Sequence, residues 1–306
     1  FTARRAATLV AVVVIAPSVT YMFSAVTRDG RSLGEAVRGL VEYLRATFVR
    51  FDLGIANVNG IDMPVRRVLV EGLPIDLGLV FGGVALGVAL GVGGALLCRP
   101  LRGSRRDRVL GFGSALGLSM PVYLLAYMAL FGFGRIQGSH PLSFVADTDD
   151  YAQPWDQPLV YVRAIATASA VVAVPLAAAC FRMTRGALLD TRDAPHLMAA
   201  RAKGVGEHRL WLRHALPTAA PPVVTLVGVS LPWVVFNAIL VEVPYNLPGG
   251  FRLAHFGMYL DEVHSHLPQP AALQGVVLEA AAIIAGGMLV CDVLGAWLDP
   301  RLRTPE

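Results

Sequence analysis

Residues 77–98 read LGLVFGGVALGVALGVGGALLC, twenty-two positions without one charged side chain. A helix that crosses a bilayer needs about 20 mostly apolar residues, because every backbone N–H and C=O must find its partner inside the segment. This stretch therefore predicts a membrane span. Five further segments outward from it read the same way: residues 6–26, 109–134, 158–181 with Arg163 near one end, 221–241, and 270–294 with Glu279 inside. The first of these follows Arg4-Arg5, as a secretory leader would. Its charge-free run, Ala6–Thr27, is nevertheless long enough to span, and no small-residue cleavage site follows it.

Composition agrees with this reading. The 306 residues are 55% hydrophobic and 16% charged, against about 25% charged in an ordinary soluble protein, and the mean hydropathy is +0.57. The net charge of +4 could point to nucleic acid, but the arginines flank apolar blocks, which is the pattern of membrane topology. With the N-terminus inside, sixteen of the 26 basic residues fall on inside segments: Arg4 and Arg5; Arg99, Arg102, Arg105, Arg106 and Arg108; seven between Arg182 and Arg213; and Arg301 and Arg303. The loop carrying Asp147, Asp149, Asp150 and Asp156 falls outside. The expected fold is an all-α polytopic membrane protein forming a single transmembrane domain, with six transmembrane helices and both termini cytoplasmic.

The first outside loop, residues 27–76, is more than a linker. Leu33, Val37, Leu40, Val41, Leu44 and Phe48 recur at helical spacing, which predicts an amphipathic helix over Leu33–Phe51. Pro64–Leu73 reads as a short helix leading into the second span. Cys98, Cys180 and Cys291 each lie near the end of an apolar block and read as packing residues. His264-Ser265-His266 with Glu262 lacks the spacing of a metal motif and reads as solvated loop, so no metal site is expected.

The inside loop, residues 182–217, carries the functional information. From Met183 it runs MTRGALLDTRDAPHLMAARAKGVGEHRLWLRHALP. Its leucines supply apolar surface for short helices, and Gly204 and Gly206 would turn the chain between them. A helix–glycine–helix hairpin of this kind suits docking into a groove on a partner.

Met198-Ala199-Ala200, Gly204 and His214-Ala215-Leu216-Pro217 keep the full spacing of the cytoplasmic EAA signature of ABC importer permeases. Met198 replaces the usual Glu and His214 the usual Ile. Ala200-Arg201-Ala202-Lys203-Gly204 followed by His214-Ala215-Leu216 resembles the dipeptide, oligopeptide and nickel branch of that family. The resemblance extends over about residues 45–303. It includes Phe51-Asp52-Leu53-Gly54, Met63-Pro64-Val65, Leu73-Pro74, Ser119-Met120-Pro121-Val122-Tyr123, Val241-Glu242, Tyr245-Asn246-Leu247-Pro248-Gly249, Gln274-Gly275, Asp292 and Leu298-Asp299-Pro300-Arg301. One departure is Thr27-Arg28-Asp29-Gly30, which stands where the family has Pro-Gly-Asp-Pro.

The resemblance implies a type I ABC importer permease of the bacterial cytoplasmic (inner) membrane. Its partners would be a second, homologous permease forming a heterodimer, two cytoplasmic ABC ATPases and an extracytoplasmic substrate-binding protein. It also implies that the inside loop is a coupling element, with Ala199, Ala200, Arg201, Lys203, Gly204, His214, Leu216 and Pro217 at or near the ATPase. The chain holds no phosphate-binding loop of its own: the sole lysine, Lys203, precedes Gly204 and not Ser or Thr. No cofactor is therefore expected on this chain, and ATP and Mg2+ would belong to the ATPases. Pathway candidates are Ser119, Pro121, Tyr123, Asn237, Glu242, Tyr245 and Glu279. An ionisable group at mid-span, such as Glu279, is costly and usually faces a cavity or a partner. A secondary transporter or channel is the alternative reading. An intramembrane protease is the remaining one, although nothing like Gly-x-Ser-x-Gly surrounds Ser119.

Overall fold

The computed structural model describes residues 2–27, 29–58, 61–98, 104–137, 154–254 and 270–298. The acidic residues 147–150, the His264–His266 group with Glu262, and Arg99, Arg102, Arg301 and Arg303 lie outside the described residues. The chain runs α1 (Thr2–Thr27), α2 (Leu33–Arg45), a π-helical turn (Ala46–Arg50), β1 (Ile55–Val58), β2 (Ile61–Pro64), α3 (Val65–Cys98), α4 (Arg105–Ser119) and α5 (Val122–Gln137). It continues with α6 (Pro158–Asp190), α7 (Pro195–Ala202), α8 (Glu207–Leu210), a second π-helical turn (Trp211–Ala215) and α9 (Leu216–Glu242). After residues 255–269 comes α10 (Pro270–Leu298).

Five helical stretches are long and apolar enough to cross a membrane: Leu9–Thr27, Val65–Cys98, Pro158–Asp190, Glu207–Glu242 and Pro270–Leu298. A sixth exists if α4 and α5 count as one broken span, for they meet at 111°. The sequence predicts one kinked span over residues 109–134, and the structure replaces it with this sharp corner. The cause is local. A proline drives the residue before it out of the helical region, and Met120 is extended at φ −82°, ψ 131°.

The second span also begins earlier than expected. α3 is a single helix of 34 residues that absorbs the predicted short helix and continues through Pro74. The carbonyl of Pro74 accepts the Tyr161 hydroxyl of α6 at 2.5 Å. From there α3 and α6 pack along a stripe of small residues. A side chain at Gly83 would press on Val172, one at Gly87 on Leu176, and one at Gly91 on Cys180 and the Phe181 backbone. Without a hydrophobic drive between helices in lipid, such close backbone approach is what holds spans together.

The expected amphipathic helix is present as α2 and its π-helical turn. Ser32 and Glu35 form a reciprocal capping box: the Ser32 N–H donates to Glu35 Oε2 at 2.9 Å, and the Glu35 N–H donates to Ser32 Oγ at 3.4 Å. Tyr43 stacks on Tyr21 of α1 with ring centroids 4.6 Å apart. The β1–β2 hairpin was not anticipated. It is antiparallel with Ile55 opposite Pro64 and Val58 opposite Ile61, and it turns Ala56 and Val58 into the main core.

Candidate functional site

Two constructions stand out, one at each end of α3 and α9. The first is the hairpin between α6 and α9. α7 ends at Ala202, and Gly204 takes φ +76°, a left-handed conformation that glycine adopts without strain. Gly206 then caps α8. The predicted helix–glycine–helix element is therefore formed. Leu216-Pro217 does not break the helix that follows. The helix runs without interruption from Glu207 to Glu242, and the π-helical turn Trp211–Ala215 lies just before Pro217. Proline lacks the N–H and crowds the carbonyl four residues back. The wider π turn accommodates that defect.

The hairpin is rooted in its own small core. Leu197 and Ala200 of α7, Leu210, Trp211 and Ala215, and Ala219 of α9 pack with Phe181 and Leu188 of α6 and with Ala95 and Cys98 of α3. Arg201 pairs with Glu207 at 3.1 Å across the turn, and the Trp211 indole N–H donates to Glu207 Oε2 at 2.8 Å. The residues assigned to the ATPase contact are thereby sorted. Ala199, Lys203, Gly204, His214 and Pro217 are exposed, Arg201 and Leu216 are half-buried, and Ala200 is turned inward.

The second construction is a node of three buried carboxyl groups: Asp76 of α3, Glu242 at the end of α9 and Glu279 of α10, exposed by 0%, 0% and 7%. Asp76 Oδ1, Glu242 Oε2 and both Glu279 carboxyl oxygens are buried with no hydrogen-bond partner among the described residues. The segment after α9 folds over them. The Gly250 N–H donates to Asp76 Oδ2 at 2.7 Å, and the Arg252 N–H donates to Glu242 Oε1 at 3.0 Å. There is no room for a Cβ here. One on Gly249 would overlap Asp76 Oδ1 and Glu242 Oε1, and one on Gly250 would overlap Glu279 Oε2 and sit 3.0 Å from Asp76 Oδ2. Gly72 of α3 lies against the same segment, 2.9 Å from the Gly249 Cα by the same measure. Among the described residues, no salt bridge reaches the three carboxyls. Nor is any group of three or more His, Cys, Asp or Glu among these residues arranged to hold a metal ion. Through the strap amides and these close contacts the node locks α3, α9 and α10 to the strap 247–254.

Of the pathway candidates, the structure brings Glu242 and Glu279 together. Tyr245 is buried close to Glu242 in sequence, and its hydroxyl has no hydrogen-bond partner among the described residues. Asn237 is buried on α9. Ser119, Pro121 and Tyr123 lie apart, on the exposed face of the α4–α5 corner, and the Ser119 hydroxyl is spent on the Ala115 carbonyl at 2.8 Å. The sequence does not single out Asp76, because the charge-free run begins just after it, at Leu77. The available signal was the continuity of apolar residues on both sides of it.

A bundle of apolar spans, broken at one corner and carrying an inward-rooted hairpin, defines a polytopic membrane protein. The sequence profile described as "Binding-protein-dependent transport system inner membrane component" matches residues 83–304. The chain belongs to that family, and it is a permease subunit of an ABC importer, not itself the catalyst of ATP hydrolysis. It is similar to a "probable peptide ABC transporter permease protein" of Sinorhizobium fredii, at 26% identity over 96% of this chain and 89% of the relative. It is also similar to the oligopeptide transport system permease protein AppB of Bacillus subtilis, at 25% identity over 86% of this chain and 80% of the relative. As the family's description states, transport by such components depends on a binding protein.

Proposed function

We propose that this chain moves peptides or similar small solutes inward by alternating access, as one half of a heterodimer with a second, homologous permease in the bacterial cytoplasmic membrane. Two cytoplasmic ATPases carrying ATP and Mg2+ would drive it, and an extracytoplasmic binding protein would deliver the solute. Both termini and the 182–217 hairpin face the cytoplasm. The names of the relatives favour a peptide cargo.

The observation that carries the coupling role is the contrast within the hairpin. Its tip exposes Met198, Ala199, Lys203 and Gly204, while its root shares a core with α3, α6 and α9. A partner that grips the tip thus pulls on three spans at once. Gly204→Asp tests this in the reconstituted importer. It puts a side chain and a charge where φ is +76°. The expected result is a normally inserted permease whose ATPase partners hydrolyse ATP without solute uptake. Uptake at the wild-type rate would refute the assignment.

A further inference from the structure

A cavity of about 890 Å³ opens between the end of α3, the start of α4 and the α8 segment. Its basic lining is Arg105, Arg106 and His208, with the Ser104 cap of α4. Its apolar lining is Leu96, Leu97, Leu212 and Trp211. Leu97 is 67% exposed and Leu212 41%, so the apolar lining continues onto the outer surface of the spans.

The two neighbouring acids are engaged by other residues. Asp107 is held by two bonds from Arg185, at 2.5 and 2.7 Å. Glu207 is held by Arg201 and by the Trp211 indole. Arg105, Arg106 and His208 form no salt bridge among the described residues. The first turn of α4, a helix of 15 residues, adds the partial positive charge of its N-terminus to this basic lining. At the end of a membrane-spanning helix, guanidinium groups beside a leucine wall match one ligand chemistry: a phosphate diester attached to acyl chains.

We propose that this cavity binds an anionic phospholipid, its headgroup phosphate on Arg105, Arg106 and His208 and an acyl chain along Leu96, Leu97 and Leu212. The assignment of the lipid to the inner leaflet rests on the orientation given above. Binding itself does not, so the two can fail separately.

The test uses the full chain purified in mild detergent, with phosphatidylglycerol, phosphatidylcholine and inorganic phosphate as probes and native mass spectrometry as the readout. Phosphatidylglycerol is expected to be retained at least about tenfold over phosphatidylcholine, the preference that two surface arginines supply. Arg105→Gln with Arg106→Gln removes that preference, while Arg192→Gln with Arg209→Gln, two exposed arginines of the 182–217 segment that do not line the cavity, leaves it. A third variant keeps every charge. Gly93 lines the cavity, and a Cβ there meets nothing within 4 Å, so Gly93→Phe fills part of the cavity and is expected to lower retention as far as the arginine pair does. Equal retention of the two lipids, or an unchanged preference in the arginine variant, overturns the proposal. So does insensitivity to Gly93→Phe, or displacement by inorganic phosphate, either of which reduces the site to one for a free anion. Displacement of bound phosphatidylglycerol by added ATPase subunits would assign the cavity to that partner instead.

Discussion

Gly250→Ala isolates the carboxyl node. The backbone φ of Gly250 is not positive, so alanine meets no conformational penalty and the whole effect comes from packing. The new methyl would overlap Glu279 Oε2 and lie 3.0 Å from Asp76 Oδ2. Neither carboxyl can retreat to solvent, since Asp76 is 0% and Glu279 7% exposed. The strap must lift instead, which breaks the 2.7 Å bond from the Gly250 N–H to Asp76. Overpacking costs about 1–3 kcal/mol, and leaving a buried carboxyl short of its donor costs about 1.5–3 kcal/mol. The expected destabilisation is therefore about 3–6 kcal/mol, read as a shift in equilibrium unfolding in mixed micelles of increasing SDS fraction. Gly286→Ala on α10 is the control, because a Cβ there touches nothing within 4 Å, and it is expected to be neutral or stabilising by up to about 1 kcal/mol. Gly72→Ala presses on the same two strap residues, Gly249 and Gly250, so its effect should be strongly non-additive with that of Gly250→Ala. If Gly250→Ala unfolds together with the Gly286→Ala control, the strap does not sit on the carboxyls and the lock is wrong.

Two further outcomes follow from local geometry. Asp107→Asn removes the bidentate partner of Arg185, whose side chain is 32% exposed against 11% for Asp107. A loss of about 1–3 kcal/mol is expected, discounted for that partial exposure, and a double-mutant cycle with Arg185→Gln returning less than about 0.5 kcal/mol of coupling would refute the pairing. At the start of α2, the hydrogen bonds from Ser32 hold the Glu35 carboxyl below its ordinary value of 4.5. A depressed carboxyl stabilises the fold above its unfolded value and loses that contribution as pH falls through the folded one. Amide exchange in the first turn of α2 should therefore accelerate only below about pH 4.5, and an exchange profile flat in that range, once corrected for intrinsic rates, would count against the cap.

Much of this architecture was legible because apolar run length is a coarse, additive property. The spans follow from it, while α2 follows from apolar residues at helical spacing and the Gly204 turn from glycine's tolerance of positive φ. What escaped depends on pairing across the chain. The bend at Met120-Pro121 was expected as a kink, but its 111° depends on how α4 and α5 each find a neighbour. Asp76 marked a span boundary to any window that penalises charge, yet it is buried inside α3 because Glu242, Glu279 and the Gly250 amide meet it there. The family resemblance places Ala200 at the partner contact, where a small residue permits close approach. Its inward turn follows from α7 having to bury Leu197 one turn earlier on the same face.

The two constructions are linked by the helices that carry them. On α3, Asp76 belongs to the node and Cys98 to the hairpin root, twenty-two residues or about 33 Å apart at 1.5 Å per residue. On α9, Ala219 belongs to the root and Glu242 to the node, about 35 Å apart by the same rise. Packed cores shift between discrete arrangements and deform little. A pull on the proposed coupling tip should then move α3 and α9 as one body, and the strap should follow because the Gly250 and Arg252 amides are bonded to Asp76 and Glu242. Spin labels at Arg66 and Val243, both exposed at the node ends of these helices, test this in the reconstituted importer with Cys98, Cys180 and Cys291 replaced. The separation between the labels is expected to change by less than about 2 Å between the nucleotide-free and ATP-bound states, and to broaden in Gly250→Ala. A larger nucleotide-dependent change in the otherwise wild-type chain would show that α3 and α9 move independently, and the node would then be a local fastening with no part in transmitting the stroke.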